Sequence, residues 1–236
     1  MGLVRTCLEP FLDLLYPPRC LLCGRLGPDY LCSFCLDGIL TPLPEPICAR
    51  CGHPRPIEAC FRCEALSPAF VRARACGLYD DDLREAIHLF KFRNRPMLAN
   101  SLGHLMSDYA RGHSKELGDL RFDAIIPIPM YRARERVRGY NQSTRLATVV
   151  GSDLGIPVHN RLLSRDRPTP PQVGLNLDDR LKNLAHAFTA KAELATGKRF
   201  LLIDDVSTTG STFREAAAAL KAAGARAVYC LALAGE

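Results

Sequence analysis

From residue 69 onward, apolar and polar positions alternate between two periods. "VRARACGLY" (71–79) reads as a strand, and "DDDLREAIHLFKF" (80–92) as a helix with acids in its first turn and Leu83, Ile87 and Phe90 on one face. A second helix is predicted through "PMLANSLGHLMSDYA" (96–110), and "DAIIPIP" (123–129) is a buried strand stopped by two prolines. "NQSTRLATVVGSDLG" (141–155) is helical again, followed by a short strand at "IPVH" (156–159). "RFLLIDD" (199–205) is a strand, "STFREAAAALKAAG" (211–224) a helix closed by Gly224, and "RAVYCLALA" (226–234) a last strand. Such alternation predicts an α/β domain over 69–236 with a parallel sheet flanked by helices. Ligands of such sheets sit beyond the carboxyl ends of the strands, where Asp204 and Asp205 fall. Residues 162–180, "LLSRDRPTPPQVGLNLDDR", read as a long, Pro-rich, basic connection of the kind that serves as a lid.

The first 66 residues follow a different pattern. Leu3, Cys7, Phe11, Leu14 and Leu15 recur at helical spacing, so a short amphipathic helix is expected over 1–16. Arg5, Glu9 and Asp13 interrupt any signal-peptide core, and no apolar run approaches the ~20 residues of a membrane span; the expected location is the cytoplasm. Between 17 and 66, eight of the chain's eleven cysteines form a repeat. "CLLC" (20–23) and "CSFC" (32–35) stand eight residues apart, as do "CARC" (48–51) and "CFRC" (60–63). A C-x2-C knuckle presents two thiolates on one side of a tight turn, and two knuckles complete a tetrahedral sulfur shell for zinc. Gly24 and Gly52 follow a knuckle's second Cys, where a positive φ suits the turn, and Pro28, Pro54 and Pro56 suggest ribbon tips rather than helices. Disulfides fit poorly in a chain with no secretion signal, and a redox C-x2-C normally stands alone at a helix start. Structural zinc is therefore expected, two ions per chain. Sequential pairing gives Cys20, Cys23, Cys32 and Cys35 for one ion and Cys48, Cys51, Cys60 and Cys63 for the other; interleaved pairing stays open. Cys7, Cys76 and Cys230 sit in apolar settings, as buried free thiols do.

Charge divides the same way. Residues 1–66 carry six basic and seven acidic side chains, whereas the remainder carries twenty-five and eighteen. The excess lies in "KFRNR" (91–95), "RARERVR" (132–138) and "RLLSRDR" (161–167), which suits an anionic ligand or nucleic acid.

"RFLLIDDVSTTGSTFREAAAALKAAG" (199–224) carries the sharpest chemistry. Two aspartates end an apolar strand, and a turn of Ser, Thr and Gly leads into a helix. Backbone amides from Val206 to Thr212, with the hydroxyls of Ser207, Thr208, Thr209, Ser211 and Thr212, form a phosphate cup that Gly210 lets the anion approach. Asp204 and Asp205 at its rim accept hydrogen bonds from vicinal hydroxyls, so a sugar 5-phosphate satisfies both halves. No G-x-x-x-x-G-K-[ST] or G-x-G-x-x-G loop is present, which excludes the Walker and dinucleotide readings of the same acids.

"FLLIDDVSTTGST" resembles the phosphoribosyl pyrophosphate (PRPP) motif of type I phosphoribosyltransferases. Taken in order, the cysteine ribbons, "IHLFKFRNR", "IPIPMYRARERVRGYNQ", "TPPQVGLNLDDRLKNLAHAF" and that motif are similar to the ComF family of competence-associated proteins. The resemblance implies that Asp204 and Asp205 hold the ribose hydroxyls and Thr208 to Thr212 the 5-phosphate. It places the pyrophosphate near Arg132, Arg136, Arg138, Asn141 and Gln142, the lid over 162–180 with Arg165, Arg167 and Arg180, and Mg2+ between ribose and pyrophosphate oxygens. It also implies work on single-stranded DNA in natural transformation, beside other competence proteins such as a DNA-translocating helicase. Lys91, Phe92, Arg93, Arg95 and Arg134 offer the mix of rings and cations that stacks bases and tracks phosphates, although Phe90 is expected to face the core. No catalytic residue is assigned: family members acting on purines carry an Asp where Thr208 stands, and a Thr is no base near neutral pH. Orotate enzymes share the Thr and rely on a lid lysine; here Lys182 lies just past the arginines. The alternatives are a phosphoribosyltransferase of nucleotide metabolism without a DNA role, and a non-catalytic PRPP sensor or scaffold.

Overall fold

The structure, a computed structural model, describes residues 19–54, 60–66, 68–166 and 187–236. The helix expected over 1–16, Cys7, Arg167, Arg180 and Lys182 lie outside the described residues. In chain order come helices α1 (Ser33–Asp37) and α2 (Phe61–Leu66), strand β1 (Arg72–Leu78), helices α3 (Asp81–Phe92) and α4 (Leu98–Gly112), and strand β2 (Ala124–Pro127). Helices α5 (Arg132–Arg138) and α6 (Gln142–Leu154) follow, then strands β3 (Leu163–Arg165) and β4 (Phe188–Ala190) and the one-turn helix α7 (Ala192–Ala195). Strand β5 (Arg199–Ser207), helix α8 (Ser211–Ala222) and strand β6 (Ala227–Gly235) complete the set.

Strands β1, β6, β5 and β2 lie in that order in one sheet, and every pairing is parallel. β5 is interior, buried on both faces, which is why it reads as a continuous apolar run. Its Phe200 and Leu202 pack with Phe213, Ala216 and Leu220 of α8 on one side of the sheet. Leu201 and Ile203 pack with Leu102 and Met106 of α4 and Leu146 and Val150 of α6 on the other. The expected α/β fold with helices on both faces is therefore present. Leu83, Ile87 and Phe90 of α3 are fully buried, as their spacing predicted.

Two expectations need correction. The "IPVH" stretch is a single bridge, Val158 against Ile125, rather than a strand; Pro157 has no N–H to extend a ladder. The connection from 162 is not irregular throughout, because β3 pairs antiparallel with β4 (Leu163↔Ala190, Arg165↔Phe188), a partner too distant in sequence to leave a local signal. The second knuckle of each cysteine unit runs into a helix, Cys35 in α1 and Cys63 in α2, while none of the described residues between the knuckles, 24–31 and 52–54, is helical.

The cysteine region is docked onto the sheet domain. Cys20, Leu31, Cys35 and Ile39 share a core with Leu83 and Phe90. Buried Arg74 of β1 donates to the carbonyls of Cys48 (3.4 Å) and Ala49 (3.1 Å) and pairs with Glu116 at 2.6 Å. Cys76 and Cys230 are buried free thiols. No helix among the described residues is long and apolar enough to cross a membrane.

Candidate functional site

Cys20, Cys23, Cys32 and Cys35 converge on one point and Cys48, Cys51, Cys60 and Cys63 on another, with the sulfurs of each set within 4.8 Å of one another. The pairing is sequential. Sulfur pairs stand 3.7 Å apart for Cys20–Cys35, Cys23–Cys32 and Cys48–Cys63, and 3.6 Å for Cys51–Cys60. A tetrahedral shell with Zn–S near 2.3 Å requires about 3.8 Å between sulfurs, so both sets fit zinc. Gly24 (φ 75°) and Gly52 (φ 71°) make the knuckle turns, their N–H groups donating to the carbonyls of Cys20 and Cys48. Burial opposes ionisation of Cys20 and Cys48, yet amides of the knuckles aimed at the sulfurs lower them to about 6 and about 7. Cys35 and Cys51 are pushed up by burial and by their neighbouring thiols. A cation at the centre is what lets all four ligands of a set ionise together.

At the carboxyl end of β5, Asp204 and Asp205 are both buried. Asp204 Oδ1 accepts from Ser143 Oγ of α6 at 2.8 Å and from the Asp205 N–H at 2.9 Å. Asp205 Oδ2 lies 3.0 Å from Lys91 Nζ of α3. Burial, and then the Asp205 carboxylate, push the Asp204 carboxyl up to about 7, against Lys91 and the Ser143 hydroxyl. Beyond the acids, Gly210 adopts φ 74° and α8 begins at Ser211. Thr209 Oγ1 lies 2.9 Å from Ser211 Oγ and accepts from the Ser211 N–H at 3.4 Å. The Thr208 carbonyl accepts from Arg62 of α2 at 2.7 Å.

Two clefts meet at this acid pair. One, of about 560 Å³, is lined by Asp204, Val206, the turn from Ser207 to Thr212, and Tyr79, His88, Lys91 and Phe92. The other, of about 220 Å³, is lined by Asp204, Asp205, Ser143, Asn141, Gln142, Lys91, Arg134, Arg138 and Arg165. The first offers hydroxyls and the amides of a helix N-terminus; the second offers cations. Arg165 lies over the Phe188 ring at 5.4 Å, and burial, together with Arg134, lowers its pKa while Asp204 opposes that shift. A ligand anionic at both ends and hydroxylated between them matches this distribution.

Comparison with known proteins gives the lineage. The double zinc ribbon domain model matches residues 11–71, and the phosphoribosyl transferase domain model matches 143–236. The chain is 33% identical over 226 residues to competence protein F of Haemophilus influenzae, covering 92% of this chain and 96% of that one. The chain belongs to the ComF family. It is also 31% identical to the DNA utilization protein YhgH of Escherichia coli K12 over 92% of this chain and 98% of that one. Competence protein ComFC of Bacillus subtilis is 33% identical over 147 residues, 62% of this chain and 57% of that one. Among solved structures, the B. subtilis glutamine PRPP amidotransferase complexed with ADP and GMP overlaps 63% of this chain and 30% of its own, at 18% identity and a TM-score of 0.44.

Within this ComF chain the predicted residues do not all gather at one place. Ser207 to Thr212 surround the wider cleft, with Val206 beside Asp204. Arg138, Asn141, Gln142 and Arg165 line the cationic cleft, and so does Arg134, read from sequence as a DNA contact. Arg132 and Arg136 are exposed on α5 and line neither cleft. Lys91, also read as a DNA contact, neutralises Asp205. Phe92 is 63% exposed, and Arg93 and Arg95 are exposed beside it. The Arg138 guanidinium covers the Phe92 ring at 5.1 Å. Ser143, Tyr79, His88 and Arg62 went unread. Arg62 stands in "CFRC" and His88 in "IHLFKFRNR", but nothing in those patterns gives either side chain a role, and only the fold brings all four to the acids or the turn.

Proposed function

We propose that this ComF protein binds PRPP with Mg2+ at the acid pair and handles single-stranded DNA in the cytoplasm during natural transformation. The observation that carries the sugar-phosphate reading is Asp204, which borders both the turn cleft and the arginine cleft. In this reading the 5-phosphate accepts from the turn amides and from the Ser and Thr hydroxyls at the head of α8, where the helix dipole favours an anion. The ribose hydroxyls donate to Asp204 and Asp205. Arg134, Arg138 and Arg165 hold the pyrophosphate, with Arg167 and Arg180 of the connection as further candidates from sequence. The carboxylates are hard oxygen donors of the kind Mg2+ takes beside ligand phosphates, and the ion would neutralise charge between ribose and pyrophosphate oxygens. Ser143 fixes the Asp204 rotamer, and Lys91 keeps Asp205 in place.

Support for the DNA part comes from the printed names of the competence and DNA-utilization relatives and from a surface groove of about 600 Å³ that pairs Phe92 and Val137 with Lys91, Arg134 and Arg138. Exposed ring and cations together suit stacked bases and a phosphate backbone.

Titration calorimetry of PRPP in the presence of Mg2+ tests the first part. Saturable heat is expected from the parent and none from Asp204→Asn; silence from both sinks the reading. Fluorescence anisotropy with a short single-stranded oligonucleotide tests the second: binding falls steeply with salt and survives in Asp204→Asn. PRPP uptake without DNA binding at physiological salt favours the nucleotide-metabolism reading instead. Release of labelled pyrophosphate with an acceptor panel separates a transferase from a sensor.

A further inference from the structure

We infer that Arg62 makes the second cysteine site a positioning element of the phosphate turn, so that metal held by Cys48, Cys51, Cys60 and Cys63 and ligand held by the turn stabilise each other. Arg62 sits between two of those ligands, in "CFRC", on α2. From there it donates to the Thr208 carbonyl at 2.7 Å, inside the turn that leads to Gly210 and α8. A second path runs in parallel. The His53 Nδ1–H meets the main-chain oxygen of Glu236 at 3.2 Å, and the Glu236 N–H donates to the Ser207 carbonyl at 3.3 Å.

The ribbon end of these paths is itself braced against the sheet. The Ala73 N–H donates to the Arg50 carbonyl at 2.7 Å, and a Cβ on Gly52 would stand 2.8 Å from the Ala73 carbonyl oxygen. Arg74 holds the Cys48 and Ala49 carbonyls from below. A metal that fixes the two knuckles therefore fixes the Arg62 backbone, and Arg62 carries that order to the turn. Groups outside a metal's ligand shell commonly carry its geometry into a neighbouring site. Coupling between two binding events is reciprocal, so turn ligand must retain metal by the same factor with which metal favours turn ligand. No comparable hydrogen bond among the described residues joins the first cysteine site to the turn.

The ligand arm of this inference rests on the sugar-phosphate reading, and its test keeps the two separable. Zinc-loaded full chain, Arg62→Ala, Arg62→Lys and a first-ribbon control, Arg25→Ala, would be compared. Zinc content by elemental analysis is expected to be unchanged in all four. Amide hydrogen exchange over 207–211 is expected to be faster in Arg62→Ala, intermediate in Arg62→Lys and unaltered in Arg25→Ala, a result that needs no ligand. With Mg2+-PRPP, Arg62→Ala should bind about tenfold more weakly, the order expected for losing one hydrogen bond from a charged donor. Bound PRPP should slow chelator-driven zinc release from the parent and leave Arg62→Ala unaffected. Exchange at the turn matching the parent in zinc-replete Arg62→Ala overturns the inference. A parent that takes up no PRPP, while Arg62→Ala still loosens the turn, overturns the sugar-phosphate reading and supports the positioning role.

Discussion

Asp204 carries an unusual burden in the ligand-free protein. It is buried beside a second carboxylate, and the Ser143 hydroxyl and Lys91 only partly offset that. The folded protein therefore keeps the Asp204 proton up to about pH 7, whereas an unfolded chain releases it near pH 4. Between those values the native state binds more protons than the unfolded state, so this group's contribution to stability falls as pH rises from about 4 to about 7. Asp204→Asn keeps an acceptor for Ser143 and removes the charge. Thermal melts should show the variant more stable than the parent at pH 8, on the order of 1–3 kcal/mol, and indistinguishable at pH 4. Parallel melting curves across the range would contradict this. The acids themselves were legible because two carboxylates closing an apolar strand ahead of a Ser/Thr/Gly turn stand out in the pattern. Their partners were not: Ser143 stands 61 positions away, and nothing local marks it.

Helix α3 shows how periodicity settles one face and leaves the other open. Phe90 falls on the apolar face and is fully buried, while Phe92, two positions on, is largely exposed. Its ring lies beside the cationic helix α5, whose Val137 is 92% exposed and which buries none of its residues. "RARERVR" has no apolar stripe, so α5 was invisible to a pattern search even though Arg134 and Arg138 depend on it for their direction. Because Phe92 supports no core, Phe92→Ala should melt with the parent while binding single-stranded DNA roughly 5- to 100-fold more weakly, the cost of one lost stacking platform. Unchanged DNA affinity in a folded Phe92→Ala would move the DNA surface elsewhere.

Taken together, the clefts and the groove are not independent. Lys91, Phe92, Arg134 and Arg138 line both the cationic cleft and the outer groove. Pyrophosphate and a DNA backbone would draw on the same cations, so Mg2+-PRPP should displace a labelled oligonucleotide from the parent and fail to do so from Asp204→Asn. Ribose 5-phosphate, which has nothing to place in the arginine cleft, should displace it far less. Equal displacement by both sugars would separate the sites. The cysteine region belongs to the same unit: one site shares the core beneath α3, and from the other Arg62 donates to the Thr208 carbonyl in the turn ahead of α8.

Spacing along the chain was enough for whatever short-range physics decides. Eight cysteines in two identical frames specify sulfur shells, alternating periods specify a parallel sheet, and acids ahead of a Ser/Thr/Gly turn mark the place for which an anion-and-hydroxyl ligand is proposed. What the chain could not announce is which knuckles pair, which arginines of a charged run face inward, that Lys91 neutralises Asp205, and that Arg62 reaches Thr208. Those outcomes depend on elements far apart in sequence meeting at one edge of the sheet. A charged side chain has no periodic signature until the fold supplies its counter-charge.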